Sequence, residues 1–383
     1  MRPKLQFLLV FAVGFILGAA VLVACTATPT VAPTQAAPTS QPPTAPPATL
    51  PPQPTQVAQA TVPAAGTPVP ATATPVVAKG RLSTVLARKK LVCGINGSLA
   101  GFSVLESSGD YSGIDAEFCR AVAAALFNDA KAVEFRKLST TERFATIQTG
   151  DVDVVFRNTT WTLNRDTAVG MDFVQTTFYD GGGMMVPKKS NIKKLEDLAG
   201  ATICVLTGTT NEQVLTDVFK ARNIKFTPLT FPDANALYQA YEQGRCDAAT
   251  SDKSQLAGQR ASLLKTPDDH VIMDDTLSKE PLGPMVASND SAWRDVIQWV
   301  VFATFYAEEA GISQKNVDDV KANSADPNVM RFLGKTGTLG KDMALTNDVW
   351  YQVIKLVGNY GDIYDRTLGA ATKFNIPRGL NQP

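Results

Sequence analysis

The sequence predicts an α/β fold of two similar lobes, and three observations support this prediction. Apolar strand-like runs alternate with amphipathic helical segments along most of the chain. Gln148–Asp153 and Glu242–Asp247 share a pattern of helix end, glycine and then an aspartate before a strand, although two such turns can also match by chance. Glycine permits large backbone rotations and proline restricts them, so Gly181–Gly183 and Pro281–Val286 are predicted crossings between the lobes. Tight turns without functional consequence are the alternative.

The first 24 residues are predicted to be a secretory signal peptide. Arg2 and Lys4 precede an uncharged apolar run, which is typical of such peptides. The run ends in Leu22–Cys25, which resembles the lipobox of bacterial lipoproteins, where the cysteine receives lipid and becomes the new N-terminus. An uncleaved transmembrane anchor is the alternative, because a run of about 18 apolar residues is long enough to span a bilayer. Both interpretations place the rest of the chain outside the cytoplasmic membrane.

Residues 25–78 are predicted to be a disordered tether attached to that lipid anchor. From Thr26 to Ala78 the chain is almost entirely Pro, Thr, Ala, Val and Gln, with no charged and no aromatic residue. Such a segment cannot bury enough apolar surface to offset its conformational entropy. A glycosylated stalk is another use of the same composition.

Composition excludes several classes of function for the remaining residues. Basic and acidic residues balance at 36 each and no basic run is present, so a nucleic-acid partner is not expected. The chain has one histidine, His270, in a predicted surface turn, which leaves little room for a histidine-based metal site or catalytic triad. No cofactor and no metal are predicted. Apart from Cys25 the chain has four cysteines, an even number in an exported protein.

In the folded part of the chain, predicted strands alternate with predicted helices. Predicted strands are Leu91–Ile95, Asp151–Phe156 and Ala201–Leu206. Predicted helices contain Phe118–Leu126, Phe144–Ile147, Asn211–Phe219 and Leu237–Tyr241. Ser112 followed by Asp115 is expected to cap the first of these helices.

A candidate binding site lies in Asp153–Asp166, where a short apolar strand ends in a run of polar residues. These residues are Arg157, Asn158, Thr159, Thr160, Thr162 and Arg165. Ligands of open α/β sheets bind beyond the carboxyl ends of strands, so this cluster indicates a site for a small anionic or zwitterionic molecule. The internal repeat places Asp252 at the equivalent strand end of the second lobe. A solvated polar loop is the alternative.

A second candidate element is the turn from Leu206 to Thr210, which leads from a strand into the helix at Asn211. Unpaired backbone N–H groups at a helix start can bind a carboxylate. Thr209 and Thr210 can equally serve as N-caps without any ligand. No Gly-Lys-Ser/Thr follows, which excludes a Walker-type phosphate loop.

With these elements in order, the chain resembles the substrate-binding proteins of polar amino-acid ABC importers, of the general L-amino-acid-binding type. The resemblance extends from Leu82 to Leu380 and is carried by runs such as GDVDVVFRNTTWTLNRD, YDGGGMMV, TGTTNE, GRCDAATSD and SKEPLGP. It implies a type II periplasmic-binding-protein fold with lobe 1 in residues 79–183 and 286–383 and lobe 2 in residues 184–285. It also implies a monomeric protein, without enzymatic activity, that captures L-amino acids for an ABC importer permease.

The resemblance also implies roles for individual residues. Arg165 would bind the ligand α-carboxylate, assisted by the Asn158 backbone, Thr160 and the helix start at Thr209 and Thr210. Asp252 would bind the α-ammonium group. A planar guanidinium suits a carboxylate because it donates two parallel hydrogen bonds.

Other positions bear on the ligand side chain. Many relatives have an aromatic residue where this chain has Leu99, which argues against recognition of basic side chains by stacking. Arg143 falls where other members face the ligand, and it could pair with an acidic or amide side chain; a surface arginine is the alternative. Phe102 and Trp161 are candidate cleft walls, with core packing as the alternative.

The four remaining cysteines are expected to form bridges within lobes, Cys93 with Cys119 and Cys204 with Cys246. Four buried thiols are the alternative. Two other functions use the same fold: an exported prephenate-type dehydratase, with Asp252 as its general acid, and a tethered amino-acid sensor that signals to a receptor.

Overall fold

The computed structural model describes residues 80–382 of the 383-residue chain. The predicted signal peptide, the lipid site Cys25 and the predicted tether lie outside the described residues. Within the described range, no helix has both the length and the apolar character needed to cross a membrane.

Strands and helices alternate along most of the described chain. The strands are β1 Leu91–Ile95, β2 Ser98–Leu99, β3 Ser103–Leu105, β4 Tyr111–Ser112, β5 Val133–Lys137, β6 Val154–Val155, β7 Met171–Phe173, β8 Phe178–Pro187, β9 Thr202–Leu206, β10 Thr227–Phe231, β11 Ala248–Asp252, β12 His270–Ile272, β13 Ser278–Leu282 and β14 Met285–Ala287. The helices are α1 Gly80–Arg88, α2 Ile114–Phe127, α3 Glu142–Thr149, α4 Leu163–Ala168, α5 Thr210–Ala221, α6 Ala234–Glu242, α7 Lys253–Leu263, α8 Ser291–Glu309, α9 Val317–Asn323, α10 Pro327–Phe332, α11 Val349–Leu356 and α12 Tyr360–Thr367.

Two main sheets form the centres of two lobes. The lobe 1 sheet has the order β5-β1-β6-β14-β7, and the lobe 2 sheet has the order β10-β9-β11-β8-β12, with β13 also paired to β8. Within each sheet the central strands are parallel: β1 pairs with β5 and β6, and β9 pairs with β10 and β11. Their carboxyl ends therefore lie along one edge of each sheet.

Alternating side chains on these strands supply apolar groups to both faces of each sheet. In lobe 1, Cys93 and Val154 face the large cluster around α2 and α8, whereas Val92 and Val155 face a smaller cluster beside α3. In lobe 2, Met184 and Val186 pack on the α5 side of the sheet, and Met185 packs on the α6 side. Burial on both faces explains why these strands are apolar runs rather than alternating ones.

The chain passes between the lobes at β8 and again at β13–β14. Phe178, at the start of β8, belongs to the lobe 1 core, and Met184 belongs to the lobe 2 core. Residues 178–182 pair antiparallel with β13, so the two crossing segments lie side by side as a two-stranded ribbon.

Each lobe contains one disulfide. Cys93 in β1 is bonded to Cys119 in α2, with the Cα atoms 6.1 Å apart. Cys204 in β9 is bonded to Cys246 just before β11, with the Cα atoms 5.7 Å apart. Neither bond joins the lobes.

Two local expectations were wrong. Ser112 does not cap α2, because the N-cap position is Gly113 and no side chain accepts a hydrogen bond there. Asp115 is instead buried, and it accepts a hydrogen bond from the backbone of Asn158 at 3.0 Å. The strand expected at Asp151–Phe156 is reduced to β6, and the buried Asp153 carboxylate just before it binds Arg81 and Arg88.

Candidate functional site

The candidate site is a small cavity between the lobes, which we call the inner cavity. The space left free for water is only about 20 Å³, about enough for one water molecule, whereas ligand pockets usually measure about 300–1,000 Å³. It is lined from lobe 1 by Arg143, Arg157, Asn158, Thr160 and Arg165, and from lobe 2 by Thr209, Thr210, Asn211, Ser251, Asp252 and Gln255. All but one of the ligand-binding residues expected from the sequence therefore meet at one place, at the ends of β6, β9 and β11.

The polar segment after β6 is held in place by buried hydrogen bonds. Asn158 has a left-handed backbone, with φ of 34°, and its N–H donates to the Asp115 carboxylate. Its side-chain oxygen accepts a hydrogen bond from Asn96 Nδ2 at 3.2 Å. Burial raises the pKa of Asp115 to about 7, although this hydrogen bond and the nearby Arg157 both oppose the rise.

Arg165 is nearly buried in the first turn of α4, with 9% of its surface exposed. Its Nη1 donates to the Thr160 backbone oxygen at 2.9 Å, and its guanidinium lies 5.5 Å from the centre of the Phe144 ring. Burial lowers its pKa, while Glu280 and Asp252 act in the opposite direction. Arg165 is thus a cation with only part of its donor capacity used by the protein.

Arg143 lies in α3, and its 3% exposure excludes the alternative of a surface arginine. Nη1 donates to Thr159 Oγ1 at 3.1 Å, whereas the buried Nε has no acceptor among the described residues. Burial, together with the positive charges of Arg157 and Arg165, holds the pKa of Arg143 well below its ordinary value. An anion in the inner cavity would relieve this unfavourable arrangement.

The acidic side of the inner cavity is Asp252, the last residue of β11, which is 1% exposed. It accepts hydrogen bonds from Asn211 Nδ2 at 2.7 Å and from Gln255 Nε2. Burial raises its pKa well above the ordinary range, and the nearby Asp180 and Glu280 raise it further. A cation beside Asp252 would stabilise its ionised form.

The helix start at α5 faces the same space. Thr209 is the N-cap, and its hydroxyl accepts from the Glu212 N–H at 3.2 Å and donates to the Leu206 backbone oxygen at 2.7 Å. The Thr210 hydroxyl lies 3.3 Å from the Thr160 hydroxyl of the opposite lobe. Thr209 thus has the N-cap role, while Thr210 is available to the cavity.

Sequence reasoning missed Glu280, a residue of β13 with 1% exposure. Its Oε2 accepts from Thr160 at 2.5 Å and from Thr210 at 2.8 Å, so one carboxylate holds a hydroxyl from each lobe. In the ribbon that joins the lobes, Glu280 pairs directly with Asp180. The available signal was an acidic residue immediately before the predicted crossing at Pro281.

Several other lining residues were also missed as site residues: Arg157, Asn211, Ser251 and Gln255. Arg157 belongs to the polar stretch identified from the sequence, but the sequence alone gave it no role. Asn211 and Gln255 come together with Asp252 only through the packing of α5 and α7 on β11.

The aromatic residues expected at the cleft lie elsewhere. Phe102 does not line the inner cavity; it is 1% exposed and packs edge-to-face on Phe178 in the lobe 1 core. Trp161 stacks on Phe173 at 5.7 Å. Phe102 and Trp161 therefore pack in lobe 1 against apolar partners, which was the alternative to a role as cleft walls. Residues 80–382 contain no group of three or more His, Cys, Asp or Glu side chains placed to hold a metal ion.

Comparison with known proteins agrees with this architecture. Residues 91–304 match the family described as bacterial extracellular solute-binding proteins, family 3. The general L-amino acid-binding periplasmic protein AapJ of Rhizobium johnstonii is 47% identical over 302 residues, which cover 78% of this chain and 88% of that protein. The glutamate/glutamine/aspartate/asparagine-binding protein BztA of Rhodobacter capsulatus is 42% identical over 300 residues, with the same coverage of both chains.

A solved structure is also similar over both lobes. It is an ABC transporter periplasmic binding protein from Brucella ovis with glutathione bound, and it is 43% identical to this chain. The superposition has a TM-score of 0.77 and covers 79% of this chain and 95% of the Brucella chain. The expected fold and the resemblance seen in the sequence are thereby confirmed.

Proposed function

The chain belongs to the bacterial extracellular solute-binding proteins of family 3, and on that premise we propose that it captures L-amino acids between its lobes and delivers them to an ABC importer permease. The observation that carries the proposal is the pairing of Arg165 and Asp252 across the inner cavity. One buried cation and one buried acid face the same space from different lobes. A zwitterion is the smallest ligand that satisfies both.

In the proposed complex Arg165 binds the α-carboxylate, together with the free N–H groups at the start of α5 and the hydroxyls of Thr160 and Thr210. Asp252 binds the α-ammonium, with Asn211 and Gln255 fixing the orientation of its carboxylate. Without ligand the Thr160 and Thr210 hydroxyls donate to Glu280, so in the complex they must turn from Glu280 to donate to the α-carboxylate. Because these contacts come from both lobes, ligand binding stabilises the closed arrangement.

We further propose a preference for acidic and amide side chains. Arg143 supports this preference, because its buried Nε has no acceptor among the described residues and the neighbouring Arg157 adds a second positive charge. The Rhodobacter relative is a glutamate/glutamine/aspartate/asparagine-binding protein, which agrees with such a subsite.

The test is calorimetric titration of the protein with each of the twenty amino acids. We expect glutamate, aspartate and their amides to bind most tightly and lysine and arginine most weakly. Absence of binding by every amino acid would contradict the proposal. Thermal denaturation gives an independent readout, because a ligand at about one hundred times its dissociation constant adds roughly 2.7 kcal/mol to the free energy of unfolding.

The proposal includes anchoring of the mature protein to the membrane through a lipid on Cys25. It is supported by the lipobox-like Leu22–Cys25 and by the uncharged segment that follows. Mass spectrometry of the mature protein should show an N-terminal Cys25 carrying lipid. An intact N-terminal Met, or an unmodified Cys25, would contradict this part of the proposal.

A second candidate function is an exported prephenate-type dehydratase. The raised pKa of Asp252 favours it, because a buried carboxyl group with a raised pKa keeps its proton to higher pH and can serve as a general acid. Incubation with prephenate separates the two functions: an enzyme forms product catalytically, whereas a binding protein leaves prephenate unchanged.

A further inference from the structure

A second, larger cavity adjoins the inner cavity, and we call it the outer chamber. It has about 420 Å³ of space accessible to water and opens to solvent between the loops after β1 and β5 of lobe 1 and the loop before α6 of lobe 2. Its lining includes Lys137, Ser139, Thr140, Glu142, Arg157 and Asp233. A free amino acid in the inner cavity would leave this space to water.

Arg157 lines both cavities and lies between them. It is 5% exposed, and its Nε donates to the Leu138 backbone oxygen at 2.8 Å. Neither terminal nitrogen of its guanidinium has a hydrogen-bond acceptor within residues 80–382. Burial lowers its pKa to about 10, so the side chain remains a cation at neutral pH. The boundary between the cavities therefore presents unused, positively charged donors.

The lobes also contact each other beside Arg157. Thr140 Oγ1 of lobe 1 donates to the Thr207 backbone oxygen of lobe 2 at 2.9 Å. A ligand that extends from the inner cavity into the outer chamber would thus lie beside a contact that forms when the lobes approach.

The rim of the outer chamber carries a cation, Lys137, that has no acidic partner among the described residues. Lys137 is exposed, and its side chain forms no hydrogen bond or ion pair with the described residues. The aliphatic part of the Lys137 side chain packs against Gly97, whose φ is 77°. A Cβ atom at residue 97 would lie 2.8 Å from Lys137 Cγ, so any larger residue there would displace the Lys137 side chain. Two acids also line the chamber and keep their charge: Glu142 accepts from the Ser139 N–H and Asp233 accepts from the Ala236 N–H, each at 2.9 Å, and neither forms an ion pair with Lys137.

We propose that the outer chamber is a second ligand subsite, which holds an anionic residue joined by an amide bond to the side chain of the amino acid in the inner cavity. The inference rests on the proposed function, because Arg165 and Asp252 must bind the free α-carboxylate and α-ammonium groups. An ordinary dipeptide loses one of these two groups at its peptide bond. A γ-glutamyl peptide keeps both, and its extension passes Arg157 and brings the terminal carboxylate to Lys137.

The experiment is titration of the full chain, in detergent, with L-glutamate, γ-glutamylglycine, γ-glutamylglycinamide and α-glutamylglycine. The variant Lys137→Met removes the rim cation without touching the inner cavity. Lys131→Met is the matched control, because Lys131 is an exposed lysine of the same lobe in the turn before β5. We expect γ-glutamylglycine to bind and α-glutamylglycine not to bind.

Lys137→Met should weaken the binding of γ-glutamylglycine by about fivefold, the size of one partly exposed ion pair. It should leave glutamate and the uncharged amide unaffected, and Lys131→Met should change none of the three. If glutamate binds and γ-glutamylglycine does not, the second subsite is overturned while the proposed function stands. Equal binding of γ-glutamylglycine by both variants and the parent overturns the role of Lys137 in that subsite. If neither glutamate nor γ-glutamylglycine binds, the proposed function fails, and this inference fails with it.

Discussion

The two walls of the inner cavity carry opposite charge. Lobe 1 contributes the buried guanidinium groups of Arg143, Arg157 and Arg165, whereas lobe 2 contributes Asp252. The acids Asp180 and Glu280 of the joining ribbon add to the negative side. On each wall, buried side chains of the same charge lie close together. Burial and the neighbouring like charges lower the pKa of Arg143 and raise the pKa of Asp252.

The opposite charges of the two walls explain how closure of the lobes can depend on one ligand. Burying unpaired charges of one sign is costly, and a zwitterion supplies the missing charge to both walls. A purely anionic or purely cationic ligand would relieve only one wall.

Removing the principal charge of either wall should have the largest effect. We expect Arg165→Ala and Asp252→Asn each to weaken binding by about 2 to 5 kcal/mol, because one partner of a buried charge pair is then left without its counterpart. The loss should be similar for glutamate, glutamine and alanine, since all three share the groups that these residues bind. Titration calorimetry measures it, with Arg136→Ala, an exposed arginine of lobe 1, as the control. Unchanged affinity of both variants for all three ligands would show that the site is elsewhere.

Removing one disulfide should destabilise the protein without changing the charges of the inner cavity. The bridges close loops of 26 and 42 residues, for which loop entropy gives stabilisation of about 3.5 and about 4 kcal/mol. We expect Cys93→Ala/Cys119→Ala and Cys204→Ala/Cys246→Ala to lower the free energy of unfolding by these amounts, in that order, in denaturant titrations. Amino-acid affinity should be retained. Four reactive thiols in the unfolded, unreduced protein would contradict both bridges.

Changing Arg143 should alter selectivity rather than affinity in general. We expect Arg143→Met to weaken glutamate binding by about 1.5 to 3 kcal/mol, the usual contribution of a hydrogen bond to a charged group. Alanine serves as the internal control, because it has no side-chain group that reaches Arg143. Equal losses of binding free energy for glutamate and alanine would instead show that Arg143 stabilises the cavity wall without contacting the ligand side chain.

The smallest predicted effect is on pH dependence. Burial, together with Glu280, raises the pKa of Asp180 to about 6, and Asp252 is raised as well. A bound ammonium group favours the ionised acids, so binding should release protons at pH values where the free acids are protonated, and affinity should increase with pH to at least about pH 6, the pKa of Asp180. One linked proton corresponds to about 1.4 kcal/mol per pH unit.

Alanine is the suitable ligand for this measurement, because its own groups do not titrate between pH 5 and 7. Calorimetry in two buffers of different ionisation enthalpy counts the released protons directly. Asp180→Asn should flatten the dependence. An affinity for alanine that is constant between pH 5 and 7 would exclude proton linkage.

The two-lobed α/β class and much of the candidate site could be predicted from the sequence alone. The run Asp153–Asp166, the helix start at Thr209 and the acid Asp252 could each be found because a strand or helix end fixes where its next residues project. Such local rules require no knowledge of distant neighbours. The first strand, Leu91–Ile95, was predicted with its correct bounds for the same reason.

Which residues share a cavity across the lobes depends on the tertiary packing and could not be predicted from the sequence. Glu280 could not be assigned from the sequence, because its partners Thr160 and Thr210 lie 120 and 70 residues away along the chain. Asp115 was expected to cap its own helix, but packing directs its carboxylate to the Asn158 backbone. Phe102 was expected at the cleft, but it packs against the Phe178 ring in the lobe 1 core. In each case a buried contact between distant segments outweighs the local preference, because burial is costly for a polar group without a partner and favourable for an aromatic ring beside another.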